Sequence, residues 1–156
     1  MSLFHESELT KAAEIAGSLY HRLVLVVGPA GTGKTNLLKV LNQPVHNVNL
    51  ALSAAMLDLP LRRRPLDAPR MFSDLIASVP SSPVVLDNLE LLFATSLKLD
   101  PLACLKQASR NRTIIASFLG IFEDGHLIYA ESQHPEYRRF PADDILIVNI
   151  SATAVA

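Results

Sequence analysis

The residues best suited to chemistry in this chain are a lysine and a threonine that close a run of small residues, Gly28-Pro29-Ala30-Gly31-Thr32-Gly33-Lys34-Thr35. The run fits G-x-x-x-x-G-K-[ST], the phosphate-binding loop. Glycines without side chains let successive backbone N–H groups converge on one point, where a polyphosphate is stabilised. The expected ligands are ATP and Mg²⁺. Gly28 to Asn36 form the cradle, Lys34 reaches the β- and γ-phosphates, and the Thr35 hydroxyl sits on the metal. A second candidate lies downstream in Val84-Val85-Leu86-Asp87-Asn88-Leu89-Glu90. An apolar run ending in aspartate is common by itself. Beside a glycine loop it reads as the strand that delivers Asp87 to Mg²⁺.

Three further candidates depend on how the elements are arranged. P-loop ATPases with an extra strand between the two motif strands usually carry a glutamate directly after the aspartate. Here that position is Asn88, which can orient a water but cannot take its proton. Glu90, two residues on, is the alternative base. Ser117 ends the run Thr113-Ile114-Ile115-Ala116-Ser117, the expected middle strand, and is the candidate sensor beside the γ-phosphate. Arg138 and Arg139 precede the last strand and are candidates for reaching a neighbouring molecule's γ-phosphate. The competing expectation pairs them with Glu131 or Glu136. Arg110 and Arg112 stand in reserve for the same role.

The elements that must position these groups are legible from periodicity. Leu23 to Val27 is an apolar strand before the glycine loop, and Leu37, Leu38 and Leu41 give helical spacing after it, up to Pro44. Residues 8–19 carry a helical stripe that includes Ile15, with Ser7 as N-cap. Residues 45–50 read as a strand, followed by a short helix through Leu52, Met56 and Leu59. Pro60 to Pro65 reads as a loop, and its Arg62, Arg63 and Arg64 are able to meet nucleic acid or an acidic partner. Pro69 opens a helix that Pro80 ends, and Asp100-Pro101 starts another, with Cys104 on its buried side. Ile121 to Tyr129 is a β-hairpin about Asp124-Gly125. Residues 131–141 read as a loop and 145–150 as the last strand.

Alternation of strands and helices predicts an α/β fold, a three-layer αβα P-loop NTPase whose five-stranded, mainly parallel sheet gains a β-hairpin insertion and has no helical lid domain. Residues 1–150 form one domain and residues 151–156 a flexible tail. With a net charge of −1 the chain lacks a broad basic surface for nucleic acid, though not a local patch. One cysteine and no apolar leader at the N-terminus lead us to expect a reduced, cytoplasmic setting, and no apolar run approaches membrane-spanning length.

Several stretches resemble one family more closely. They are Val48-Asn49-Leu50, Val85 to Glu90, Leu97-Lys98-Leu99-Asp100-Pro101, Ser109-Arg110-Asn111-Arg112-Thr113, Glu123-Asp124-Gly125 and His134-Pro135-Glu136-Tyr137-Arg138-Arg139-Phe140-Pro141. With them the chain is similar to the BrxF family, small P-loop proteins of BREX bacteriophage-defence systems. The resemblance implies an ATP-binding, AAA+-like protein that works with other BREX proteins as an oligomerising ATPase or an ATP-dependent switch. It supplies no chemical step. Two other expectations stand beside it: a nucleotide-stabilised scaffold without hydrolysis, which Asn88 allows, and a small-molecule kinase, for which Arg62 to Arg64 would be the lid.

Overall fold

The computed structural model describes residues 3–129 and 137–150. Five strands form a parallel sheet: β1 (Leu23–Gly28), β2 (Val45–Asn47), β3 (Val84–Asp87), β4 (Ile114–Leu119) and β8 (Leu146–Asn149). Their order is β2-β3-β4-β1-β8, so β4 separates the two strands that carry the motifs. Every residue of β1 and β3 is buried, which is why both read as continuous apolar runs instead of alternating ones.

The sheet has helices on both faces. Val24, Val26, Val85, Ile115 and Val148 pack with Leu9 and Ala16 of α1 (Leu3–Ala16) and with Leu37 and Leu38 of α2 (Lys34–Leu38). Leu23, Leu25, Leu86 and Ile114 face the other way. They pack with Leu52 of α3 (Val48–Met56), Phe72 of α4 (Arg64–Ser78) and Leu105 of α5 (Pro101–Ala108). This is the α/β, three-layer arrangement expected.

A second, antiparallel sheet stands at the end of β4. It comprises β5 (Ile121–Glu123), β6 (His126–Tyr129) and β7 (Arg138–Pro141) in that order. The hairpin turns on Asp124 and Gly125, whose φ values of 52° and 73° are both left-handed. Gly120 makes the junction with β4 possible, since a Cβ there would lie 2.2 Å from the Ile128 carbonyl oxygen. Phe93 locks the small sheet down: its ring stacks on Tyr129 at 3.9 Å and meets Phe118 and Phe140 edge-on at 5.7 and 6.1 Å.

Several boundaries differ from the sequence reading. Ser7 lies inside α1, which starts at Leu3 and stops at Ala16, where the backbone N–H and hydroxyl of Ser18 both fold back onto the Ile15 carbonyl at 3.1 and 2.9 Å. Ile15, expected on the buried stripe, is exposed. The strand expected over residues 45–50 ends at Asn47, because the Asn47 side chain caps α3 by accepting the Leu50 N–H at 3.0 Å. Residues 60–65 are no loop. Leu61–Arg63 form a 3₁₀ turn that runs straight into α4, with Pro65 in the first turn where no N–H is missed. Pro69 sits inside that helix and does not open it. The loop expected over residues 131–141 is strand from Arg138 to Pro141, drawn into the sheet because Phe140 pairs with Leu127 and is buried. The rest of that expectation, residues 131–136 with Glu131 and Glu136, and the tail, residues 151–156, lie outside the described residues.

Candidate active site at the carboxyl edge of the sheet

Parallel strands end at the same edge, and here that edge collects the chemistry. The register pairs Gly28 with Leu119 and Val26 with Ser117, while Asn47 pairs with Asp87. The glycine loop, Ser117, Asp87 and the start of α3 therefore meet on one rim.

The loop is shaped by backbone geometry that only glycine adopts freely. Gly31 and Gly33 have φ values of 79° and 93°. Gly28 is closed in differently: a Cβ there would stand 2.6 Å from Thr32 Oγ1 and 2.8 Å from the Ile150 side chain. The Thr32 hydroxyl folds back to the Pro29 carbonyl at 2.7 Å and fixes the turn. Among the described residues, none of the backbone N–H groups from Ala30 to Lys34 donates to another backbone group, although Leu37 N–H already bonds Gly33. N–H groups without a backbone acceptor, set around left-handed glycines, make a geometry that can hold an anion.

Lys34 Nζ donates to the Gly28 and Pro29 carbonyls, both at 2.8 Å, so its ammonium lies across the loop. Burial pushes its pKa below the ordinary lysine value, and the charges of Asp87 and Glu90 oppose that shift. Two carboxylates thus lie close enough to the ammonium to act on it.

Asp87 is buried, with 8% of its surface exposed, and its carboxylate is engaged on both oxygens. Thr35 Oγ1 donates to Oδ2 at 2.6 Å across 52 residues of sequence. Ser117 Oγ, buried as well, donates to Oδ1 at 2.5 Å, and Asn88 N–H donates to the same oxygen at 2.9 Å. Thr35 and Asp87, the two expected metal contacts, are side by side. Among the described residues no cluster of three or more His, Cys, Asp or Glu side chains could hold a metal. One hydroxyl beside one carboxylate suits a hard cation that keeps several waters and takes phosphate oxygens, as Mg²⁺ does.

The chain turns sharply after Asp87. Asn88 is left-handed, with φ of 56°, and Glu90 begins a 3₁₀ turn, Glu90–Phe93. Asn49, which sequence reasoning missed, reaches this turn from α3. Its Oδ1 accepts the Leu91 N–H at 2.7 Å, and its Nδ2 stands 3.5 Å from Glu90 Oε1. Only the pairing of β2 with β3 brings Asn49 there, and no spacing along the sequence signals it.

The arginine candidates are placed as follows. Arg138 Nη1 donates to the Leu99 carbonyl at 2.9 Å, and Arg139 is exposed on β7. Arg112 spends both Nη atoms on the carbonyls of Ile76 and Ser81, at 2.7 and 2.6 Å, and Arg110 lies over the Tyr20 ring. In the basic run, Arg63 pairs with Asp67, Arg64 donates to the Leu59 carbonyl and Arg62 is exposed. A cavity of about 460 Å³ between α4 and α5, lined by Phe72, Ile76, Cys104, Gln107 and Asn111, shares no residue with the phosphate loop.

Among the described residues no helix is long and apolar enough to cross a membrane. No protein-family model, no curated protein and no solved structure matches the chain.

Proposed function

We propose that this protein is a P-loop nucleoside triphosphatase that binds ATP with Mg²⁺ and hydrolyses it slowly. The observation that carries the reading is the chain of hydrogen bonds Thr35–Asp87–Ser117, which joins the end of the glycine loop to the end of β3, and the end of β3 to β4. Thr35 Oγ1 and Asp87 Oδ2, 2.6 Å apart, are close enough to contact one hard cation together.

The roles follow from position. The loop N–H groups hold the phosphates, and Lys34 leaves the Gly28 and Pro29 carbonyls to pair with phosphate oxygens. Thr35 and Asp87 would hold the metal, which would supply neutralisation of phosphate charge. Ser117 keeps Asp87 aimed by donating to the oxygen that Thr35 does not use. Asn88 is a poor base, and Glu90 is the carboxylate that remains for the attacking water. The position of β4 between β1 and β3 favours an ATPase over a small-molecule kinase.

The resemblance to the BrxF family extends the proposal: a cytoplasmic component of a bacterial phage-defence system that assembles with itself and with other BREX proteins. Arg139, exposed on β7, is then the better of the two candidates for reaching a neighbour's phosphate, since Arg138 is tied to Leu99. The exposed Arg62 is what remains for a local nucleic-acid contact. A second reading, a nucleotide-bound scaffold without hydrolysis, is favoured by one observation, asparagine in the position after Asp87.

Turnover measured across a Mg²⁺ series tests the assignment. The wild type is expected to depend on Mg²⁺ and to run well below the enzyme median of about 10 s⁻¹. Asp87→Ala is expected to abolish the Mg²⁺-dependent part. Undiminished hydrolysis in that variant would reduce Asp87 to a strand-end residue, and no hydrolysis by a wild type that binds ATP would favour the scaffold.

A further inference from the structure

We infer that Asn49 is a positioning residue for the proposed reaction: it latches the turn after β3 so that Glu90, and not Asn88, stands as the carboxylate for the attacking water. The inference rests on the nucleotide-site reading above.

Three contacts carry it. The Asn49 backbone N–H, one of the N–H groups a helix start leaves unpaired, donates to the Asn88 carbonyl at 2.8 Å. Its side-chain Oδ1 accepts the Leu91 N–H at 2.7 Å. With Oδ1 committed to a donor, the amide can face Glu90 only through Nδ2, and Nδ2 lies 3.5 Å from Glu90 Oε1. That distance is the outer limit of a hydrogen bond, so the contact is weak; the two shorter bonds fix the turn, and the lone pairs of Glu90 stay available for a water.

The placement follows from the sheet. Asn47 pairs with Asp87, so the first turn of α3 lies beside the chain as it leaves β3. Left-handed Asn88 turns that chain toward α3, and Asn49 grips it on both sides of Glu90, at Asn88 and at Leu91. The Glu90 charge, like that of Asp87, raises the Lys34 pKa against the effect of burial. A purely structural Asn49 would tie α3 to the turn with no consequence for the charge state of Glu90. That difference can be measured.

The test uses the whole chain, with a non-hydrolysable ATP analogue and Mg²⁺ for binding and ATP for turnover across pH. Analogue binding is expected to stay within about twofold of wild type in every variant, because the loop, Thr35 and Asp87 are untouched. Glu90→Gln is expected to lower kcat by about 10²-fold or more. Asn49→Ala is expected to lower it by about 10–10²-fold, the effect of a misplaced base. Asn49→Asp keeps the acceptor for Leu91 but sets a second carboxylate against Glu90, which disfavours the ionised base. The acid limb of its kcat profile is therefore expected to move to higher pH. The double variant Asn49→Ala/Glu90→Gln is expected to match Glu90→Gln alone.

Additive losses in the double variant, or an unmoved pH profile in Asn49→Asp, overturn the inference. Wild-type turnover in Glu90→Gln overturns it even if the Asn49 variants do not fold. A wild type that fails to bind the analogue removes the nucleotide-site reading, and this inference with it. A wild type that binds but shows no turnover overturns this inference and the hydrolysis reading, and leaves nucleotide binding standing.

Discussion

At the scale of single residues, the site is held together by Asp87 more than by the loop. Its two oxygens collect Thr35, Ser117 and the Asn88 N–H, so one buried carboxylate reports on three elements at once. Ser117 therefore has a structural as well as a functional consequence. Ser117→Ala removes a buried donor to a charged acceptor, and such hydrogen bonds contribute about 1.5–3 kcal/mol. Chemical denaturation of the free protein is expected to show a loss in that range, and Mg²⁺ affinity in the presence of ATP is expected to fall with it. A variant as stable as wild type with unchanged Mg²⁺ affinity would leave Ser117 without the aiming role. Lys34, Thr35 and Asp87 were legible in the sequence because the phosphate-loop spacing and the strand-end aspartate are local signals. Asn49 was not, because its role is created by a turn that only the three-dimensional pairing of β2 with β3 brings to it. The hydrogen bond from Arg138 to the Leu99 carbonyl was not legible for the same reason: nothing in its neighbourhood along the chain points to it.

At the scale of elements, the strands that carry the site were legible because both of their faces are buried and the apolar runs are unbroken. The helix boundaries were less so. Proline misled at 60–69: Pro65 reads as a breaker although a helix tolerates it in the first turn, and Pro69 reads as the start of a helix that already runs through it. Residues 48–50 read as a continuation of the strand, whereas Asn47, the last residue of β2, caps α3 and starts the helix there. The small sheet was half legible: the Asp124-Gly125 turn announced its hairpin, while β7 joins through a buried Phe140 that no local pattern marks. This sheet has one demanding joint. At Gly120 a Cβ would press on the Ile128 backbone at 2.2 Å, and backbone cannot swing aside as a side chain does. Gly120→Ala is expected to destabilise the protein toward the upper end of the ~1–3 kcal/mol usual for overpacking. It should also loosen β5–β7, seen as faster amide exchange at Leu127 and Tyr129. Unchanged stability and exchange would mean that the joint is slack.

At the scale of the whole molecule, strand order and register do what no single motif can. With β4 between β1 and β3, the loop after β1, Ser117 on β4 and Asp87 at the end of β3 reach the same rim. The bound nucleotide would lie on that rim and not in the cavity between α4 and α5, which serves no group of the proposed reaction. The central claim is that this rim binds a polyphosphate through the loop and Lys34. Calorimetric titration of Mg²⁺ and ATP into wild type and into Lys34→Ala tests it most directly. The account expects saturable, one-to-one binding by the wild type and a loss of at least about tenfold in the variant, since a charge-assisted contact to phosphate is removed. Equal affinity in the two proteins, or no binding by the wild type, would contradict it.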